Sequence, residues 1–242
     1  MTGMSGGRWC AFICGVAILC STILTVSDGQ LNGAEKIISE TLFSSDAMRG
    51  GAPDGWQLLE NKGTANLGLE KYEDGYALHL KSDSSSSFGI RKELSLVAGE
   101  YPFLNWQWKA ITLPAGGDVR KSDTDDQALQ LYVAFEATGW PAKLNTPVIG
   151  YIWDSECPKG TEVTSPQPLA GKVRYIVLRD KTDALDTWCT EKRNVFDDYR
   201  KLFPDIEGGN PRDINGISIM INSQHTKSEA EGFISHVYFS RE

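Results

Sequence analysis

Histidine and cysteine are scarce in this 242-residue sequence, which holds three histidines and five cysteines. His79, His225 and His236 lie far apart, and none has a metal-ligand neighbour at helical or strand spacing. His225 stands in a polar stretch, where a solvated side chain is a simpler interpretation than a catalytic one. The sequence also lacks a GxSxG elbow, an HExxH motif and a phosphate-binding loop. We therefore expect no metal site and no cofactor.

A surplus of positive charge is also absent. The chain has 24 Lys and Arg against 32 Asp and Glu, a formal net charge of -8. An acidic surface disfavours nucleic acids and anionic lipids as partners. The composition is otherwise that of a soluble globular protein, with 40% hydrophobic residues. Its seven tryptophans suit either a sandwich core or a binding face.

The one long uncharged stretch lies at the N-terminus. It runs from Trp9 to Val26 and follows Arg8, which is the only charged residue before it. A positive start and an apolar core are typical of a secretory signal, and the stretch is short for a membrane span. We predict a signal segment over residues 1–34, cleaved rather than retained as an anchor, and a single exported domain over 35–242. Membrane contact is expected only through an uncleaved N-terminal segment.

Two cysteines, Cys157 and Cys189, remain outside this segment. In an exported protein they are most simply explained as one disulfide. Closing a loop of about 30 residues would contribute about 3–4 kcal/mol to stability. The alternative is two buried free thiols, and we favour the disulfide.

Short runs rich in β-branched and aromatic residues, separated by turn signals, fill the rest of the chain. Some alternate strictly: Leu104, Trp106 and Trp108 share one face of their run. The predicted strands are 77–81, 103–110, 127–136, 148–153, 173–179, 214–222 and 233–240. Because no helical pattern is interleaved with them, the fold class is mainly β, a jelly-roll-like β-sandwich of antiparallel strands.

One helical pattern stands out from the strands. Asn194 can cap a segment in which Val195 and Tyr199 share a face, and Pro204 follows its end. Acidic residues occupy the first turn, where the helix dipole favours them. The pattern predicts a short surface helix at about 194–203.

Several motifs follow one another between Leu42 and Phe239. They are Leu104–Lys109, Thr124–Ala128, Val173–Arg179, Glu191–Val195 with Asp198-Tyr199, and Gly216–Met220 with Asn222-Ser223. In this order they resemble a bacterial family catalogued as domain of unknown function 3047. Members of that family look like exported envelope proteins, so the resemblance implies a periplasmic or cell-envelope location. It implies no activity.

At the level of fold alone, the first and last strands resemble those of carbohydrate-binding jelly rolls. Many such modules hold a structural calcium with an acidic residue of the last strand. The corresponding stretch here is Ile234-Ser235-His236-Val237, which has no carboxylate. We therefore expect no structural calcium.

The alternation of the strands predicts a polar strip that could bind a sugar. Aromatic rings stack on the C–H faces of a sugar, and amides form hydrogen bonds with its hydroxyls. The strip contains Gln107, Lys109, Gln130, Tyr132, Tyr151, Trp153 and Arg174. We predict all of these except Tyr151 as ligand contacts. The alternative is an outer sheet face covered by a loop. By the same alternation, Ile149 and Ile176 lie on the face that carries the strip. Because these side chains are apolar, part of that face is covered.

Asp123, Asp125 and Asp126 form the densest acidic cluster. The cluster is either a solvated loop or a functional one, and its spacing does not fit an EF-hand. Asp125 or Asp126 with Glu191 could supply the two carboxylates of a glycosidase. A structural charge network with neighbouring arginines is the simpler interpretation.

Three hypotheses for function follow. The first is a non-catalytic binding module for a glycan or another envelope component. The second is a carbohydrate-active hydrolase that uses Asp125 or Asp126 with Glu191. The third is a structural or assembly protein of the envelope, which would expose an apolar patch. The sequence specifies neither the ligand nor the oligomeric state.

Overall fold

The computed structural model describes Phe43 and residues 45–242. The predicted signal segment, residues 1–34, lies outside this range. Within the range, none of the helices is long and apolar enough to span a membrane.

Strands dominate the described chain. They are β1 (Met48–Arg49), β2 (Ala52–Pro53), β3 (Gln57–Lys62), β4 (Leu67–Tyr72), β5 (Gly75–Ser82), β6 (Ser87–Leu96), β7 (Phe103–Thr112), β8 (Leu129–Phe135), β9 (Val148–Trp153), β10 (Glu162–Thr164), β11 (Val173–Arg179), β12 (Cys189–Asn194), β13 (Ile214–Asn222) and β14 (Ala230–Ser240). The helices are α1 (Ala142–Asn145) and α2 (Val195–Leu202), and a 3-10 turn covers Glu207–Gly209.

Two sheets form a sandwich, which confirms the predicted fold class. The larger sheet has the order β10-β11-β9-β8-β13-β6-β3, and the smaller has β12-β7-β14-β5-β4. From β5 to β8 the chain alternates between the sheets, as jelly rolls do. One pair, β9 with β11, is parallel, in contrast to the all-antiparallel prediction. It can be parallel because the long connection between these strands, residues 154–172, carries the chain back before β11 begins.

Aromatic side chains from the two sheets meet in the core. The Trp106 and Tyr151 rings are 5.3 Å apart between centroids, and those of Trp108 and Trp153 are 5.8 Å apart. All four are essentially unexposed. Such pairs contribute about 0.5–1.5 kcal/mol each beyond the area that they bury. Most of the described tryptophan content is therefore explained by the core and not by a binding face.

Helix α2 confirms the predicted surface helix. The Asn194 side chain accepts a hydrogen bond from the Asp197 backbone N–H at 3.1 Å, which caps the first turn. Val195, Tyr199 and Leu202 are buried on the face that meets the sandwich. The helix closes one end of the core.

The predicted disulfide between Cys157 and Cys189 is wrong, because both residues are free thiols. Cys157 is buried with Ile152 and Val177 on the outer side of the larger sheet. Cys189 begins β12 and packs against the core between the sheets. The larger sheet separates the two side chains, so their spacing in sequence, although compatible with a disulfide, does not produce one.

Candidate functional site

The outer face of the larger sheet carries a groove of about 540 Å³. Its floor comes from alternate residues of the central strands, and its walls come from segments near Asp125, Gln167 and His225. Along β8, the leucines at 129 and 131 face the core, whereas Gln130 and Tyr132 face the groove. This two-residue alternation is the local reason that a strand buried on one side presents polar groups on the other.

The strand register sorts the floor of the groove into three rows. Across neighbouring strands the paired residues are Gln130 with Met220, Tyr132 with Gly150 and Tyr175, and Ala134 with Val148 and Val173. Along the strand direction the floor therefore changes from an amide row to a tyrosine row and then to an aliphatic row.

Two tyrosines form the middle row. The rings of Tyr132 and Tyr175 meet edge to face with centroids 6.1 Å apart. Gly150 lies between them, and a Cβ atom there would stand only 2.5 Å from Cδ1 of Tyr175 and 2.9 Å from Cε1 of Tyr132. Burial raises the pKa of Tyr175 to about 12 and that of Tyr132 well above its ordinary value, so both hydroxyls stay protonated at neutral pH.

An amide network forms the polar end. Nε2 of Gln130 donates to Oδ1 of Asn222 at 2.9 Å and also to Oε1 of Gln127. Asn222 in turn accepts from the Gln127 backbone N–H at 2.8 Å and donates to the carbonyl of Asp125 at 2.8 Å. These reciprocal bonds fix the orientation of each amide before any ligand arrives.

Asp125 closes this end of the groove. One carboxylate oxygen accepts from Nε2 of Gln127 at 3.1 Å, and the other accepts from Nε2 of Gln167 at 3.0 Å. Burial raises the pKa of Asp125, and the two amide donors oppose that effect. No lysine or arginine of the described chain lines the groove, so this carboxylate stands beside neutral donors and His225.

Asp126 has a different role from its neighbour, since it is fully buried. Its Oδ2 atom accepts from the backbone N–H groups of His225 at 2.9 Å and Thr226 at 2.6 Å, and from the Thr226 hydroxyl at 2.8 Å. It thereby anchors the segment that places Gln224 and His225 in the groove wall. We interpret Asp126 as a positioning residue for that wall.

The structure does not bring together the six predicted ligand contacts. Gln130 and Tyr132 line the groove. Trp153 is buried in the core and donates from Nε1 to the Asp180 carbonyl at 3.2 Å. Arg174 turns toward α2 and pairs with Asp205 at 2.7 Å.

The remaining two, Gln107 and Lys109, lie on the outer face of the smaller sheet. Gln107 accepts from the Tyr72 hydroxyl at 2.9 Å, and Lys109 pairs with Asp186 at 2.8 Å. The predicted alternation places Trp153 of β9 on the outer face, whereas the structure places it in the core. Because β9 is apolar on both faces, the sequence does not show which of its residues face outward.

Glu191, the third catalytic candidate, lies on β12 of the smaller sheet. Its Oε1 atom accepts from Nε1 of Trp108 at 3.2 Å and from Nε of Arg179 at 2.7 Å. Glu191 and Asp126 are not part of the groove lining, whereas Asp125 is. The fold thus does not join Glu191 and Asp125 in that cleft.

Sequence reasoning did not select Tyr175, Asn222, Gln127 or Gln167 as site residues. The first three lie in motifs that carry the family resemblance, or directly beside them, and this was the available signal. Gln167 belongs to the connection between β10 and β11 and reaches Asp125 only through tertiary structure.

A second depression of about 390 Å³ adjoins the groove over β6 and β13. It shares Ala134 and Ser218 with the groove, and it is bordered by the charged residues Arg91 and Glu93. The outer face of the larger sheet therefore offers a continuous open surface beyond the tyrosine row.

Residues 54–238 match the family described as "Protein of unknown function (DUF3047)". The chain belongs to this family. The matched range contains every residue that lines the groove. No curated protein matches the chain.

Among solved structures, the chain is similar to the family 11 carbohydrate-binding module of the cellulosomal cellulase Lic26A-Cel5E of Clostridium thermocellum. The identity is 8%, the match covers 86% of this chain and 96% of that one, and the TM-score is 0.46. It is also similar to CBM28, a carbohydrate-binding module specific for non-crystalline cellulose, at 13% identity, with 85% and 94% coverage and a TM-score of 0.40. These likenesses concern the fold only.

Proposed function

We propose that this member of the DUF3047 family is a non-catalytic glycan-binding module whose ligand lies in the groove on the larger sheet. The observation that carries the proposal is the juxtaposition of fixed amides and a tyrosine pair in an open groove of about 540 Å³. That volume is typical of small-ligand sites.

The chemistry of the lining suits a sugar. Each sugar hydroxyl both donates and accepts. Because Asn222 and Gln127 use both amide hydrogens of Gln130, its Oε1 atom can serve the ligand as an acceptor, and the second amide hydrogen of Asn222 can serve as a donor. The Tyr132 and Tyr175 rings offer apolar surface to the C–H faces of a pyranose, while their protonated hydroxyls can donate. Because the amides already hold one another in place, little rotamer freedom is lost when a ligand binds.

The lining favours binding over hydrolysis. Among the described residues, Asp125 is the one carboxylate that lines the groove. Most glycosidases use two carboxyl groups about 5–10 Å apart on either side of the scissile bond. Glu191, which could have supplied the second, is held by Arg179 and Trp108 outside the groove.

Export remains part of the proposal. Arg8 followed by the uncharged stretch Trp9–Val26 supports a secretory signal, and the family resemblance supports a periplasmic or envelope location. Detection of the protein in the cytoplasmic fraction alone, at full length, would contradict this part of the proposal and leave the groove argument untouched.

A glycan array with the purified protein tests the proposed binding. We expect reproducible binding to one class of glycan, weakened about tenfold in Asn222→Ala because a buried amide pairing is lost. Gln107→Ala, on the smaller sheet, is the matched amide control and should bind as the unaltered protein does. An array without signal, or equal loss in both variants, would contradict the proposal.

A further inference from the structure

The groove has an aliphatic end that the glycan proposal leaves unexplained. Ala134, Val148 and Val173 are in register on three neighbouring strands, next to the tyrosine row. Ala170 lines the groove beside them. These side chains have no hydrogen-bonding groups, so a further sugar unit placed on them would leave its hydroxyls without side-chain partners.

Two connections leave from this end and carry exposed apolar side chains. Residues 136–147 join β8 to β9 and hold Trp140, which is 92% exposed, and Leu144, which is 41% exposed. Residues 165–172 join β10 to β11 and hold Leu169, which is 81% exposed. Trp140 and Leu169 are the two most exposed large apolar side chains of the described residues.

The two connections are held against each other. Nζ of Lys172 donates to the Thr138 hydroxyl at 2.9 Å, and the Val148 backbone N–H donates to the Lys172 carbonyl at 2.8 Å. Leu169 has a φ of 66°, in the left-handed region that a leucine rarely adopts. Such an outlier directs attention to function, because it persists only where the surrounding structure fixes it.

We infer that the ligand is an amphiphile, a glycan that carries an aliphatic chain. Its sugar lies on the amide and tyrosine rows, and its alkyl or acyl chain runs over Ala134, Val148 and Val173 toward Leu169 and Trp140. This inference rests on the proposed glycan binding and adds the class of ligand. The gradient of polarity in one continuous groove is the reason to assign both ends to a single molecule.

Matched glycosides test the inference. The probes are the methyl and n-octyl β-glycosides of glucose, galactose and N-acetylglucosamine, each used below its micelle concentration in calorimetry with the full chain. Each methylene that leaves water strengthens binding about fourfold, so we expect at least one octyl glycoside to bind more than about tenfold tighter than its methyl partner.

Two variants test where the aliphatic chain of the ligand lies. Val173→Thr nearly preserves shape, and Leu169→Ser alters an exposed side chain, so both should fold. Each should reduce the ratio of octyl-glycoside to methyl-glycoside affinity several-fold. Leu185→Ser is the control, because Leu185 is another exposed leucine, 44% accessible, outside the groove lining.

The outcomes separate the two proposals. A positive glycan array with no octyl preference for any sugar overturns the inference and leaves glycan binding in place. An octyl preference that survives both Val173→Thr and Leu169→Ser also overturns it. A self-association of the protein that Leu169→Ser abolishes would assign the exposed side chains to a protein interface instead. An array without signal removes the proposed function itself.

Discussion

The outer faces of both sheets carry polar and aromatic side chains, and they differ in the space that remains in front of those side chains. On the smaller sheet, polar and aromatic groups are paired with one another: Tyr72 stacks on Trp188 at 4.2 Å, and His79 stacks on Phe233 at 4.2 Å. Glu231 there bonds both His79 and Lys81. The larger sheet instead leaves an open groove between fixed amides and tyrosines.

The comparison shows that amphipathic residues on a strand face do not by themselves indicate a binding site. Gln107 and Lys109 are amphipathic strand residues like Gln130 and Tyr132. However, Gln107 accepts a hydrogen bond from Tyr72, and Lys109 forms an ion pair with Asp186. What distinguishes the groove is space in front of polar groups whose orientation is already fixed. The following predictions test this difference, beginning with the largest expected effect.

Gly150→Ala should destroy the groove. The new Cβ would overlap the Tyr175 and Tyr132 rings, so we expect glycan binding to be lost and the free energy of unfolding to fall by about 1–3 kcal/mol. Denaturant unfolding and the glycan array measure the two effects. Gly68→Ala, on β4 of the smaller sheet with no atom within 4 Å of its Cβ position, is the control and should change neither. Equal behaviour of the two variants would contradict the role assigned to Gly150.

Asp126→Ala should loosen the groove wall. Its carboxylate satisfies two backbone N–H groups and a hydroxyl, so its loss leaves buried donors unpaired and should lower the free energy of unfolding by about 2–3 kcal/mol. Asp123→Ala, at an exposed position three residues earlier, should stay within about 0.5 kcal/mol of the unaltered protein. Hydrogen exchange at His225 and Thr226 should rise in the first variant only, and unchanged protection there would be evidence against the anchor.

The two faces should also differ in their response to pH. Burial raises the pKa of Asp125, so protonation of Asp125 as pH falls favours the folded state and removes a carboxylate acceptor from the groove. Burial also acts to raise the pKa of Glu231, but its bonds to Lys81 and His79 outweigh that effect and lower it. Glu231 therefore stabilises the fold above its unfolded pKa, and this contribution is lost as pH falls through its lowered pKa.

One variant of Glu231 and one of Asp125 test this difference in pH dependence. Glu231→Gln should cost about 0.5–1 kcal/mol at pH 7 and nothing once Glu231 is protonated. We expect glycan binding to weaken at acidic pH, where Asp125 is protonated, and Asp125→Asn should remove this pH dependence without a loss of stability at pH 7. The same pH dependence of stability in both variants would contradict the assigned pKa directions.

Lys109→Ala should have the smallest effect. Lys109 pairs with Asp186, which is exposed, and its ammonium lies 4.8 Å from the Phe233 ring centroid, so we expect a change of about 0.5 kcal/mol in stability. Glycan affinity should stay within about twofold. A tenfold loss of affinity would move the binding face to the smaller sheet.

Much of the architecture could be predicted from local pattern. The limits of β9, β11 and β13 agree with the predicted strands, and Asn194 caps α2 as predicted. Only part of the candidate site could be predicted in the same way. Gln130 and Tyr132 were predicted because β8 is buried on one side, whereas Trp153 was misplaced because β9 is buried on both.

The sequence by itself determined the sandwich, the surface helix and the family, because alternation, capping and ordered motifs are local properties of the chain. Tertiary structure alone decided which polar residues meet. Gln127 and Asn222 lie 95 residues apart yet share a hydrogen bond, and a whole sheet separates Cys157 from Cys189. The physical reason is that the phase of a strand and the partners across a sheet depend on pairing register, which a strand's own residues leave open wherever both of its faces are apolar.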